Sequence, residues 1–216
     1  MKFTYYQDKY CYYFRKPAGV PSSFWKETSF LDLLLWEKEK SWIIQSLFAF
    51  FWTEGELGLL NRLDNETSWF LYFAKNPRIK NQFKQLQSDF LLNKYYIAEV
   101  YGDISSYLSQ NPPQITSPIM HHKFNADRMV VIQQNSDLQK TKWLQHHLTT
   151  EILEYEFLPQ SRTTILYLKI QKWIRHQIRA HLSSIGFPIC WDMLYSKSKN
   201  KEYPRLQLFS VGVETI

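Results

Sequence analysis

The sequence predicts an α+β fold with a largely antiparallel sheet. Three observations point there: runs of aromatic and β-branched residues with period two, separate apolar stripes with the helical period, and no regular alternation between the two kinds of segment. A chain of 216 residues without repeats, low-complexity tracts or a proline-rich linker suits one continuous domain, 1–216. At that length folding buries roughly two-thirds of the unfolded surface, so a disulfide scaffold is not needed.

In chain order, the first element is the apolar stretch Trp42 to Trp52, broken by Gln45 and Ser46. It falls short of the roughly 20 residues that span a bilayer and reads as a buried helix. Trp69 to Phe73 is a short apolar strand. Pro77 to Phe90 is a helix, with proline suited to its first turn and Ile79, Phe83, Leu86 and Phe90 spaced onto one face. Lys94 to Tyr101 is a strand closed by Gly102-Asp103; period two places Tyr96, Ala98 and Val100 on one face and Tyr95, Ile97, Glu99 and Tyr101 on the other. Ser105 to Ser117, with Pro112-Pro113, reads as an exposed loop. Thr163 to Ile170 is a further strand. After Trp173, a helix carries Ile174, Ile178, Leu182 and Ile185 as a stripe ended by Gly186 and Pro188, with Arg175 and Arg179 four apart on the adjoining face.

Composition limits the function classes. Cys11 and Cys190 are the only cysteines, which suggests reduced packing thiols in a cytoplasm-like compartment. Met1 to Asp8 carry polar and acidic groups where an export signal needs an apolar run, so a cytoplasmic protein is expected and no membrane segment is visible. A net charge of +6 and a pI near 9.1 imply attraction to polyanions. Aromatic residues make up 17% of the chain, and on composition alone they read as core rather than as base-stacking platforms. His121-His122 and His146-His147 lack ligand spacing and accompanying carboxylates, so they read as surface histidines and no metal is expected.

Chemistry concentrates in the polar knot Asn61-Arg62-Leu63-Asp64-Asn65-Glu66-Thr67-Ser68 between apolar flanks. A carboxylate stands before a strand with a cation and two hydroxyls nearby; local physics alone reads Asp64 as a turn cap. Further pieces agree with one another. Asn61-Arg62-Leu63-Asp64-x-x-Thr67-Ser68 resembles the H-R-L-D-x-x-T-S-G motif of the RluA-type pseudouridine synthases, and Lys94-x-Tyr96-x-Ala98-x-Val100-x-Gly102 matches that family's K-x-Y-x-A-x-V-x-G. His176-Gln177-Ile178-Arg179-x-His181-Leu182 matches H-Q-I-R-x-H-L, Asp192-x-x-Tyr195 resembles G-D-x-x-Y-G, and Lys16-Pro17-Ala18-Gly19-Val20-Pro21 resembles K-P-A-G-x-P. Pro118-Ile119 and Arg128-Met129 are weaker landmarks. Together they run from about Lys16 to the carboxyl end.

The resemblance implies a mixed sheet with flanking helices and a basic RNA-binding cleft, and no appended RNA-binding domain before Lys16. It implies isomerisation of a uridine in structured RNA, ribosomal or transfer, with no cofactor or metal required and no protein partner expected. Asp64 would act as nucleophile at the sugar or as base toward a sugar proton, Tyr96 as the active-site aromatic, and Arg179 as the partner of the carboxylate. Ile178 would pack beneath the base and Thr67 beside it, while Arg62, Lys75, Arg175 and Lys172 are candidate phosphate contacts, each of which is equally well a solvated surface cation. The alternative is an RNA-binding relative that keeps the fold without turnover.

Several positions depart from the family pattern. Asn61 stands in place of His, Trp69 of the Gly after T-S, Trp173 and Ile174 of G-R, Trp191 of the Gly before Asp, and Ser196 of the Gly after Tyr. Arg175 stands one position after the missing arginine. Glycine serves where φ is positive or a backbone approaches closely, so three tryptophans at such positions predict a reshaped wall.

Overall fold

A computed structural model describes residues 4–23, 28–51, 56–133, 141–196 and 204–216, apart from the side chains of 40 and 141–146. The chain divides into two compact units, Met1–Leu92 with Phe209–Ile216, and Asn93–Leu208. The fold is mixed α+β with predominantly antiparallel strand pairing, as the sequence predicts.

In the first unit, β1 (Tyr5–Gln7), β2 (Cys11–Lys16) and β3 (Ser68–Ala74) pair antiparallel in that order, and β9 (Leu208–Thr215) joins β3 in parallel through Ser68 and Trp69. Helices α1 (Phe30–Trp36) and α2 (Trp42–Phe51) supply Phe30, Leu31, Leu34, Ile43, Ile44, Leu47 and Phe51, all at most 1% exposed. Phe14 of β2 meets Phe30 and Phe73 edge-on, so the apolar alternation of β2 and β3 is what the helices cover. Helix α1 starts at a capping box in which Ser29 and Asp32 satisfy each other's backbone donors.

Helix α3 (Pro77–Ser88) begins where Asn76 accepts from the Ile79 N–H at 3.0 Å, with Pro77 in the first turn. It ends two residues before the predicted Phe90. There Phe90 takes φ +58 and Leu91 N–H reaches back to the Leu86 carbonyl at 2.8 Å, a closing motif that ordinarily uses glycine. The turn swings Phe90 off the apolar stripe and leaves it 45% exposed.

The second unit holds β4 (Leu92–Tyr101), α4 (Ser105–Leu108), β5 (Gln114–His122), β6 (Met129–Val131), β7 (Thr141–Leu158), β8 (Thr163–Ile170) and α5 (Gln177–Ser184). Its strands run antiparallel in the order β4, β8, β7, β5, β6. β4 alternates as predicted: Ala98 and Val100 are buried in one core cluster with Leu166, Leu168, Ile178 and Leu182, and Tyr96 packs against it. On the opposite face Tyr95 stacks on Tyr167 at 5.6 Å. The stretch predicted as a loop contains α4 and the start of β5, because Ile104 and Ile115 are drawn into the core. β7 escapes period-two reading, since charged and apolar residues alternate irregularly past a bulge between Ile152 and Glu154.

Helix α5 starts later than its stripe predicts. His176 adopts φ +56 and the Ile174 N–H is taken by Gln177 Oε1 at 3.2 Å, so Ile174 and Arg175 lie in a turn before the helix. Arg175 therefore does not share a helical face with Arg179. Cys11 and Cys190 are buried and share no disulfide, the packing role expected of them, and burial pushes the Cys11 thiol up to about 12.

Candidate active site

Asp64 stands on a turn of the first unit closed by Thr67 N–H to the Asp64 carbonyl at 3.0 Å, with its side chain partly exposed. Both sides of the turn are tied down. Before it, Ser22 Oγ accepts from Leu63 N–H at 3.0 Å and donates to the Leu63 carbonyl at 2.9 Å. Asn61, the residue in place of the family's histidine, accepts from Tyr72 N–H at 2.7 Å and donates to the Phe70 carbonyl at 3.2 Å, zipping the approach to β3.

After the turn, the Asn65 carbonyl accepts from Gly19 N–H at 2.8 Å and from the ammonium of Lys16 at 2.9 Å. Lys16 is fully buried and also donates to the carbonyls of Pro17 at 3.0 Å and Val20 at 2.7 Å. Burial pushes this ammonium down to about 7, opposed by the negative charges of Glu66 and Asp64. The K-P-A-G-V-P segment is thus the buttress of the Asp64 turn. It was visible as a motif, but nothing in the sequence linked it to residues 49 positions away.

The next residues carry strain. Trp69 has φ +79, the backbone of the glycine it replaces. Its indole lies 4.9 Å from the Phe209 ring, with the Arg15 guanidinium 5.2 Å above it. Its Nε1 and the Oγ of Ser68 are buried without hydrogen-bond partners among the described residues. Thr67 is buried; Arg62 is exposed and paired with Glu56 at 2.7 Å. Lys75 donates to Gln7 Oε1 at 3.0 Å and to the Asp8 carbonyl, so it also secures the β1–β2 turn. A cavity of about 740 Å³ between α3 and the β1–β2 hairpin is lined by none of the predicted site residues.

The second unit carries Tyr96, Ile178, Arg179, Lys172 and Arg175. Tyr96 is half-buried beside the cluster that contains Ile178, which brings the two residues predicted to hold the base onto one core. Arg179 is buried, and its Nε and Nη2 donate to the two oxygens of Asp192 at 2.8 Å each. That fork takes two of the five guanidinium donors. Asp192 also accepts from the N–H groups of Leu194 and Tyr195 at 3.1 Å, and the Tyr195 ring lies 5.3 Å from the Arg179 guanidinium. Tyr195 Oη accepts from Met129 N–H at 2.7 Å and lies 3.2 Å from His176 Nδ1. The D-x-x-Y motif therefore orients Arg179, a role the sequence did not disclose. Trp191, at the family's glycine before Asp192, has φ +59 and again keeps a glycine-like backbone.

Helix α5 is anchored by His181, whose ring nitrogens lie 3.0 Å from Ser117 Oγ and 2.8 Å from Thr150 Oγ1. Burial holds this imidazole well below its ordinary value, at about 4, against a hydrogen bond at Ser117 that raises it. Arg175 donates to the Ala126 carbonyl at 3.0 Å and meets Asp127 at 3.4 Å at the surface, and Lys172 is exposed. His122 Nδ1 accepts from the backbone of Phe124 and Asn125, a turn-capping role, whereas His146 lies outside the described side chains. Among the described residues no group of three or more His, Cys, Asp or Glu side chains gathers as a metal site.

The model of a family described as RNA pseudouridylate synthase matches residues 10–184. The ribosomal large subunit pseudouridine synthase D of Borreliella burgdorferi is 30% identical over 197 residues, covering 89% of this chain and 54% of that protein. The dual-specificity RNA pseudouridine synthase RluA of Vibrio cholerae is 27% identical over 154 residues, covering 71% of this chain and 57% of that protein. The chain spans about half the length of these curated relatives. Among solved structures, human RNA pseudouridylate synthase domain containing 1 superposes with a TM-score of 0.72 at 18% identity, covering 98% of this chain and 78% of that one; it shares the fold. The match spans the motifs around Lys16, Asp64, Tyr96 and Arg179, and the chain belongs to the RNA pseudouridylate synthase family.

Proposed function

We propose that the protein isomerises a uridine of structured ribosomal or transfer RNA to pseudouridine, with Asp64 acting at the sugar. The observation that carries this reading is the Asp64 turn, whose backbone is anchored before the carboxylate by Ser22 at Leu63 and after it by Lys16 at Asn65, in a chain of this family. A site that must meet one anomeric carbon benefits from such fixed geometry.

In the reaction the bond from C1′ to N1 of uracil breaks, the base turns, a bond from C1′ to C5 forms, and the C5 proton leaves while N1 gains one. Electrons balance without an oxidant or reductant. Asp64 serves either as nucleophile at C1′ or as base toward the neighbouring sugar proton. Tyr96 stacks on the uracil and assists removal of the C5 proton, and Ile178 supports the base from below. Arg179, oriented by its fork to Asp192, is the proposed cationic member of the site. The target uridine is extruded from its helix or drawn from a loop, because a stacked base cannot reach these groups. Arg62, Lys75, Lys172 and Arg175 are the proposed phosphate contacts, with Thr67 near Asp64 in the turn; Arg62, Lys75 and Arg175 exchange their present oxygen partners for phosphate on binding.

One observation favours a second reading, an RNA-binding relative without turnover. Trp69 and Trp191 place indoles on backbones that suit glycine, beside Asp64 in sequence and beside Asp192. Incubation with unmodified ribosomal and transfer RNA, followed by chemical mapping of pseudouridine, separates the two. Modification at a defined uridine that Asp64→Asn abolishes supports the enzyme. RNA binding by both forms with no modification by either supports the second reading.

A further inference from the structure

Two lysines of the family-like motifs are buried, and they differ in one respect. Lys16 has three carbonyl acceptors. Lys94 is 4% exposed, and among the described residues its ammonium forms no hydrogen bond. Its partner is the ring of Trp173, 4.9 Å from Nζ. A cation–π contact offsets only part of the cost of desolvating the ammonium. Burial accordingly pushes Lys94 down to about 8. A lysine held against a ring in this way gains from an incoming anion.

Its surroundings indicate which anion. Period two along β4 puts Lys94 on the same face as Tyr96, two residues on. Trp173 stands at a position where the family pattern has glycine, and it keeps 42% of its surface exposed while its ring meets the ammonium. Lys172 beside it is exposed and cationic. A buried cation on β4, the accessible indole that meets it and the surface cation next to that indole in sequence match a nucleotide, with phosphate for the lysines and a base for the ring.

We propose that Lys94 and Trp173 form a subsite for a nucleotide flanking the target uridine, Lys94 binding its backbone phosphate and Trp173 stacking its base. This rests on the reading that the protein acts on RNA. The tryptophan then substitutes an aromatic platform for the family's glycine and arginine at this point of the substrate path, and it adds a contact that tolerates any base.

The test is RNA affinity across a salt series, using a stem-loop transcript with a single-stranded flank, for wild type, Lys94→Met, Trp173→Gly and Trp173→Phe. Lys94→Met is expected to weaken binding several-fold and to lower the salt slope by roughly 0.7 to 0.9, as for one lost phosphate contact. It is also expected to raise the melting temperature, since a buried charge is removed. That combination separates a binding role from a structural one. Trp173→Gly should weaken binding by about tenfold without altering the slope, and Trp173→Phe should restore most of it. Unchanged affinity and slope in Lys94→Met, or unchanged affinity in Trp173→Gly, overturns the subsite. Wild-type protein that binds RNA but forms no pseudouridine removes the enzyme reading and leaves the subsite standing, whereas wild-type protein without salt-dependent RNA affinity removes both.

Discussion

Lys16 and Asn65, 49 residues apart in the chain, are joined by a hydrogen bond of 2.9 Å from a fully buried ammonium to a backbone carbonyl. The same ammonium spends its other donors on Pro17 and Val20, so a single cation fixes the loop to the turn that carries Asp64. Lys16→Met leaves three carbonyls without this donor. It should destabilise the protein by at least about 2 kcal/mol in denaturant titration. It should also slow pseudouridine formation more than it weakens RNA binding, because the turn loses its position and no surface cation is removed. Equal losses in both would assign Lys16 to binding instead.

Trp69 and Trp191 occupy left-handed backbone at φ +79 and +59. Alanine and glycine both delete the indole, but only glycine relieves the backbone. At each position the glycine variant should therefore be more stable than the alanine variant by about 1 kcal/mol, the reverse of the order found at ordinary φ. Paired thermal melts of Trp69→Gly against Trp69→Ala, and of the same pair at Trp191, measure this directly. Alanine variants at least as stable as the glycine ones would contradict the strain assigned here.

His181 is buried neutral between Ser117 and Thr150, with its value lowered from 6.5 to about 4. Because the folded value lies below the unfolded one, the unfolded chain binds more protons between these limits. Stability is then complete above about pH 6.5 and falls as the pH drops toward 4, by roughly 3 kcal/mol from this group. Urea titrations from pH 7.5 to 4.5 should show that loss, and His181→Gln should flatten it.

Arg179 and Asp192 form a buried two-pronged pair. Asp192→Asn removes the charge with little change of shape and should cost about 3 kcal/mol of stability by breaking this buried two-pronged pair. Turnover should fall with it, since Arg179 loses its orientation. Combining it with Arg179→Met should restore part of the stability but none of the activity, a coupling that a double-mutant cycle reads.

Much of this architecture was legible from period alone. β4 and β8 stand where Lys94 to Tyr101 and Thr163 to Ile170 alternate, and α2 lies where the apolar run from Trp42 predicts it. Ends were harder. Phe90 and His176 take left-handed backbone that their residue types disfavour, so α3 stops early and α5 starts late, and tertiary packing overrode the local signal at both. At the site, the motif positions of Asp64, Tyr96 and Arg179 were readable, but their supports were not. Lys16, Ser22, Asp192 and His181 act through hydrogen bonds to distant backbone and side chains, and such pairings leave no periodic trace. Asn61 shows the same limit: the sequence marks it only as a departure from histidine, and its amide closes two backbone bonds to β3.

The central claim is that Asp64 drives uridine isomerisation. Replacement of the C5–H bond by a C5–C1′ bond releases the C5 hydrogen to water, so RNA labelled with tritium at uridine C5 reports the reaction under single-turnover conditions. Wild-type protein should release tritium stoichiometric with one modified uridine per RNA, and Asp64→Asn, folded and still binding the RNA, should release none. Release that persists in Asp64→Asn, or its absence from wild-type protein with bound substrate RNA, would contradict the claim.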